Sequence, residues 1–298
     1  MSSKPAQAVL EPARVRPWAD FIALTKPRVN LLVLVTTVIG FHLGNHGGAD
    51  LALLLNTVVG TLLVASGAAA FNQVFERDVD AKMRRTMARP LPDRRLDTGE
   101  ATWFAFALSV AGVLQLRLGA NALAAGVALA TLVLYALVYT PMKRRSSLST
   151  IVGAVPGALP PVIGWAASNG TLALEAWVLF AIMFFWQMPH VLAISYMYRE
   201  DYARGGIRVL PVEDPDGRST GFQMLNYSAA LVPVSLLPSL IGMAGRLYFV
   251  SAVLLGLAGV VMAFRFARHR SQVRARQLFF LSLVYLPVLW VLMLANRA

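Results

Sequence analysis

Long apolar runs broken by short polar clusters recur along the chain, at 29–46, 51–75, 101–118, 120–139, 148–168, 171–197, 222–243, 247–266 and 277–295. About 20 helical residues cross the roughly 30 Å hydrocarbon core of a bilayer. The pattern therefore predicts an all-α integral membrane protein with nine transmembrane helices. Residues 1–17 are rich in Pro, Ala and Ser and lack periodicity, which predicts a disordered tail ahead of a single membrane-embedded domain, 18–298. Trp18 to Leu24 reads as a short amphipathic helix at the interface, and Pro27 sits where a helix can begin without losing a hydrogen bond.

Charge changes this picture by orienting it. The chain is 57% hydrophobic and 14% charged, with a formal net charge of +12. In a soluble domain that excess would point to nucleic acid. Here every Lys and Arg except Arg117, Arg246 and Arg297 falls in the N-terminal tail or in alternate loops, as the positive-inside rule requires for an odd number of spans. The expected arrangement is an N-terminus in the cytoplasm, a C-terminus outside and no nucleic-acid partner. Zero cysteines exclude disulfides and thiolate chemistry. The first apolar run follows a long tail and lacks a small-residue cleavage pattern, so it reads as a retained helix.

Candidate chemistry concentrates in residues 72–92, NQVFERDVDAKMRRTMARPLP. Asn72, Glu76 and Asp80 repeat every four residues, drifting by only about 40° per step on a helix, and Arg84 extends the row. Asp78, about 200° round from Glu76, faces away. Mg²⁺ takes one or two protein carboxylates and completes its shell with water and phosphate oxygens, and Arg84, Arg85 and Arg89 can neutralise a diphosphate beside it. The alternative is a solvated helix end with i, i+4 charge pairs. Arg28 and Asn30 at the mouth of the first span, and Lys143 and Arg144 in a second basic cluster, either contact an anionic substrate or meet lipid headgroups.

Two further stretches carry polar groups at membrane depth. TIVGAVPGALPPVIGW (150–165) is interrupted by glycines and prolines, which predicts either a cavity wall or a kinked packing helix. His190 lies inside the sixth apolar run and reads equally as a helix–helix contact or as a functional group. Arg199, Glu200, Asp201 and Tyr202 follow at the same end, and Gly205 and Gly206 could hinge a lid over 203–220. His42 and His46 read as solvated loop histidines, and the arginines of 265–276 as orienting or lipid-facing charge.

The block NQVFERDVDAKMRRTMARP resembles the N-x-x-x-E-x-x-x-D-x-x-M-x-R-T-x-x-R-P signature of the protohaem IX farnesyltransferase (haem O synthase) branch of the UbiA prenyltransferase superfamily. TKPRVN, YTPMKRRSS, GAVPGALPPVIGW, FFWQMPHVLAISYMYREDYARGG and RVLPV resemble its other blocks, in the same order. The resemblance implies a UbiA-type bundle of nine transmembrane helices around a central cavity, in a bacterial inner membrane with the site on the cytoplasmic side. It implies Mg²⁺-dependent transfer of farnesyl from farnesyl diphosphate to a vinyl group of haem B, with water added, giving haem O and diphosphate. Asn72, Glu76 and Asp80 match the first Mg²⁺–diphosphate motif, and Arg84, Arg85 and Arg89 the adjoining basic positions. Glu200 and Asp201 match the second acidic region, which is poorer in carboxylates than in quinone-prenylating relatives. His190 is expected to contact the haem or to position the added water, with Arg199 and Tyr202 near the substrates. Haem A synthase or a terminal-oxidase assembly factor is a candidate partner. The competing readings are prenylation of an aromatic or quinone precursor and a non-enzymatic haem-handling membrane protein.

Overall fold

A computed structural model describes residues 17–45, 47, 48 and 50–297. The tail expected before Pro17, and His46 of the histidine pair, lie outside the described residues. A short helix α1 (Pro17–Leu24) precedes the long α2 (Pro27–Gly44), α3 (Leu51–Asp80), α4 (Thr98–Gly119) and α5 (Ala122–Val133). A π-turn, Leu134–Tyr139, joins α5 to α6 (Thr140–Met142). The Gly/Pro-interrupted stretch forms α7 (Ser149–Ala158) and α8 (Pro160–Asn169), followed by α9 (Leu174–Met197). Two short helices, α10 (Arg199–Gly205) and α11 (Leu210–Glu213), lead to α12 (Arg218–Leu240), α13 (Arg246–Arg268) and α14 (Gln272–Ala295).

Among the described residues there is no strand, and 8 helices are long and apolar enough to cross a membrane. The expected seventh span, α12, matches them in length, but its first half carries Gln223, Asn226 and Ser228 and is too polar to count with them. Leu31, Leu32, Trp103 and Leu118 point outward, as side chains solvated by lipid do. The interior holds Trp165, Tyr248 and Trp290, and a polar chain in which Tyr248 donates to the Ser235 carbonyl while the Ser235 and Tyr285 hydroxyls share a hydrogen bond.

The glycines of 150–165 mostly serve packing. A Cβ on Gly164 would stand 1.9 Å from the Thr37 carbonyl oxygen, and one on Gly40 1.9 Å from that of Pro161, so α2 and α8 touch backbone to backbone. Only the first turn of α7, at Ser149 and Thr150, reaches the cavity described below. The expected cavity wall is thus confined to that turn: Gly153 meets the Tyr139 ring and Gly157 the Gln187 amide of α9, while α8 is taken up by its crossing with α2.

At the end of the bundle where α3, α6 and α9 finish, α1 lies across the outside. The Gln73 amide donates to the Leu24 carbonyl (2.9 Å), and Arg95 pairs with buried Asp20 (3.1 Å). Phe21 and Leu24 pack among Ala70, Leu91 and Phe104, while Trp18 and Ile22 stay exposed. These contacts hold the α1–α2 connection, and Lys26 with it, against the end of α3.

Candidate active site

Helix α3 runs five residues beyond its apolar stretch, which keeps Asn72, Glu76 and Asp80 on one helical face. All three are buried, at 1%, 8% and 1% exposure. The helix stops at Asp80, where the Thr86 hydroxyl donates to the Asp80 carbonyl (2.9 Å) and Met83 turns into the core. Arg84 therefore does not extend the row: its side chain is exposed, because the backbone has left the helix. Arg85 and Arg89 do line a cavity of about 170 Å³, together with Asn72, Glu76, Asp80, Lys143 and Tyr202.

Each side chain of the row meets a cation. Lys26 Nζ donates to Asn72 Oδ1 (2.6 Å), Lys143 Nζ pairs with Glu76 Oε1 (2.7 Å), and the Arg89 guanidinium pairs with Asp80 Oδ2 (2.7 Å). Lys143 follows the π-turn, a local widening that recurs at functional sites. There Thr140 Oγ1 donates to the Tyr135 carbonyl and accepts from the Asn72 amide, while the Lys143 ammonium lies 4.4 Å from the Tyr139 ring centroid.

Sequence reasoning singled out Arg28 and Asn30 in the first block and missed Lys26. The backbone at Lys26 has φ 50°, a left-handed conformation costly for a residue with a Cβ. Asn30 secures it by donating to the Thr25 carbonyl (2.7 Å) and to Ser66 (3.0 Å), so Asn30 is buried structural support and does not line the cavity. The available signal was Pro27, since the residue before a proline is disfavoured in right-handed helix and the chain must turn there. Burial, reinforced by the charges of Arg89 and Lys143, pushes the Lys26 ammonium down to about 7. Burial also opposes the charge on Lys143, but Tyr139 and Glu76 outweigh it and hold that group above its ordinary value. The contrast follows from the partners, a neutral amide for one lysine and a carboxylate for the other.

The second acidic segment is built differently. Glu200 is exposed. Asp201 is buried, but its oxygens accept the backbone N–H groups of Arg84 (2.9 Å) and Arg85 (3.3 Å) and pair with Arg204. Burial works against its charge, yet the Arg204 hydrogen bond and the two amides hold its carboxyl below the usual carboxylate range. Neither residue lines the cavity, so the expected second pair of metal ligands is not assembled there. Asp201 instead fastens α10 to the loop after α3.

Residues 199–217 form an ordered cap. The Arg208 N–H donates to the Lys143 carbonyl (2.8 Å), and Ile207 and Val209 pack on Val79 and Met83. Gly206 (φ 70°) takes the left-handed conformation that glycine adopts readily, at the turn after α10. Tyr202 lines the cavity, and burial raises its phenol above the ordinary value. Arg199 lies over the Tyr196 ring and bonds the Pro215 carbonyl, away from the cavity, while Arg28 and Arg144 are exposed. His190 also lies outside this cavity. Its Nδ1 is 2.7 Å from the Ser282 hydroxyl and its ring stacks on Trp186, while Nε2 has no partner among the described residues. Asp78 points outward, paired with Arg77.

Among the described residues no three His, Asp or Glu side chains gather into a metal-sized cluster. The row nevertheless fits a single hard cation that shares its shell with phosphate oxygens: Asp80 Oδ1 is buried without a hydrogen-bond partner, and Glu76 and Asn72 offer oxygens one and two turns away. The surrounding lysines and arginines supply the charge that a diphosphate would need.

The UbiA prenyltransferase family model matches residues 33–284. The protein named protoheme IX farnesyltransferase in Solibacter usitatus is 53% identical over 93% of this chain and 98% of its own. One of the same name in Koribacter versatilis is 41% identical over 97% of each. Among solved structures, a study of digeranylgeranylglyceryl phosphate synthase provides a chain with a TM-score of 0.80 at 14% identity, covering 95% of this chain and 99% of the other. A UbiA homolog from Archaeoglobus fulgidus bound to GPP and Mg2+ gives 0.65 at 14% identity, over 92% and 99%. These two likenesses concern the fold.

Proposed function

The chain belongs to the UbiA prenyltransferase family, and from that premise we propose that it transfers a farnesyl group from farnesyl diphosphate to a vinyl group of haem B, with Mg²⁺ and one water, giving haem O and diphosphate. The observation that carries the reading is the buried row Asn72–Glu76–Asp80 ringed by Lys26, Lys143, Arg85 and Arg89 in one cavity. Relatives named for haem farnesylation at up to 53% identity support the choice of acceptor. The placement of basic loops supports a cytoplasmic site in a bacterial inner membrane.

In this reading Asp80, Glu76 and Asn72 would hold one Mg²⁺, which would supply Lewis-acid stabilisation of charge on the phosphate oxygens. Lys26, Lys143, Arg85 and Arg89 exchange their present partners for diphosphate oxygens and stabilise the charge that develops as the allylic C–O bond weakens. The ring of Tyr139, beside Lys143, and the cap residues Ile207 and Val209 screen the allylic carbon from bulk water. His190, with Nδ1 engaged by Ser282, presents Nε2 to the haem, through the iron or a propionate. His190 is not among the residues that line the polar cavity, so this reading assigns it to the haem.

Incubating the purified protein with haem B, farnesyl diphosphate and Mg²⁺ tests the reading. Haem O detected by mass is the expected result. Failure to form it, with turnover of an aromatic acceptor instead, would replace haem in the proposal. His190→Ala should weaken haem binding, measured by the Soret band, and an unchanged spectrum and turnover would remove that residue from the site.

A further inference from the structure

The lining of the same cavity also includes groups of a different chemistry. Ser149 and Thr150, on the first turn of α7, line it together with Val191 and Ser195 of α9. Ser149 and Ser195 are buried, at 1% and 2% exposure. Buried helical hydroxyls ordinarily donate to the carbonyl three or four residues back. Thr36, Thr37, Thr57 and Ser109 do so here, whereas Thr61 does not. The hydroxyls of Ser149, Thr150 and Ser195 make no hydrogen bond among the described residues. Three hydroxyls with no hydrogen-bond partner among the described residues thus share one cavity. The cavity, about 170 Å³, is large enough to hold water beside them.

Resting on the proposed reaction, we infer that Ser149, Thr150 and Ser195 hold the water that is added to the vinyl group. As the C1–O bond of farnesyl diphosphate breaks, its electron pair leaves with the diphosphate. The vinyl π pair forms the new C–C bond to C1, leaving a cation on the vinyl carbon attached to the porphyrin ring. The oxygen of the held water bonds to that carbon, and the proton it sheds passes to the departing diphosphate. Without a held water, the same cation loses a neighbouring proton and gives an alkene adduct lighter by one water. A water fixed by two or three hydroxyls keeps its own lone pair directed at the cation, whereas free water would also reach the farnesyl cation and yield farnesol. Val191 adds an apolar side chain to the same lining.

Product partition in Ser195→Ala, Ser149→Ala and the double variant tests this, with haem B, farnesyl diphosphate and Mg²⁺ in ¹⁸O-water. Diphosphate release should stay within about threefold of the unsubstituted protein while the hydrated share of the haem adduct falls about tenfold in the double variant, the alkene rising to match. Serine-to-alanine changes at these positions leave no protein group unpaired, and melting temperature checks that the fold is kept. An unchanged hydrated share in all three variants would overturn this inference alone. So would a loss of diphosphate release equal to the loss of hydration. Absence of any haem adduct from the unsubstituted protein would overturn the proposed function, and this inference with it.

Discussion

Two segments at the same end of the bundle carry carboxylates on or just beyond a helix end, and only one of them is built to hold something. In the first, Glu76 and Asp80 face a cavity, their partners are the tips of long flexible side chains, and Asp80 keeps an oxygen without a partner. In the second, Asp201 is tied by two backbone amides and an arginine, and Glu200 is in solvent. Residue type does not separate them. What does is the kind of partner: a lysine or arginine tip can move to a phosphate oxygen at little cost, whereas a backbone N–H cannot follow a ligand without unfolding its turn.

The largest expected effect breaks the first segment. Asp80→Asn should lower kcat/KM for farnesyl diphosphate on the order of 10³-fold with the fold intact, measured by steady-state turnover and melting temperature. Lys143→Met and Lys26→Met each remove one cation and should raise KM by about 10- to 100-fold, which substrate titration reads directly. Asp201→Asn belongs to the other class: it should cost about 1–3 kcal/mol of stability by weakening the clamp on the loop after α3, and the activity it loses should return at lower temperature. Because the Asp201 carboxyl is held below its usual range, the clamp is present at neutral pH and is lost as pH falls through that depressed value. The melting-temperature gap between the variant and the unsubstituted protein should therefore close on acidification. Smallest of all, Glu200→Gln and Arg84→Ala should leave kinetics within about twofold, since both side chains are exposed.

The difference between the segments was only half visible in the sequence. Apolar runs and a four-residue repeat sufficed to place Asn72, Glu76 and Asp80 on one helical face and to turn Asp78 away, because helical periodicity acts through neighbours along the chain. The end of α3 at Asp80 depends on the Thr86 hydroxyl and the burial of Met83, so the four-residue repeat continues to Arg84 in sequence although the helix does not. Lys26 and the saturation of Asp201 join residues 46 and 117 positions apart, and no local pattern encodes such pairs. Gly164 illustrates the same limit, since its close approach is to α2 and only the packed bundle reveals it.

Counting the bound metal tests the central claim most directly. Electron paramagnetic resonance of Mn²⁺, in the presence of a non-cleavable farnesyl thiodiphosphate, should show one tightly held ion per chain in the unsubstituted protein and in Glu200→Gln, and none in Asp80→Asn. A second tight ion that disappears in Glu200→Gln, or a first that survives in Asp80→Asn, would contradict the assignment of the two segments.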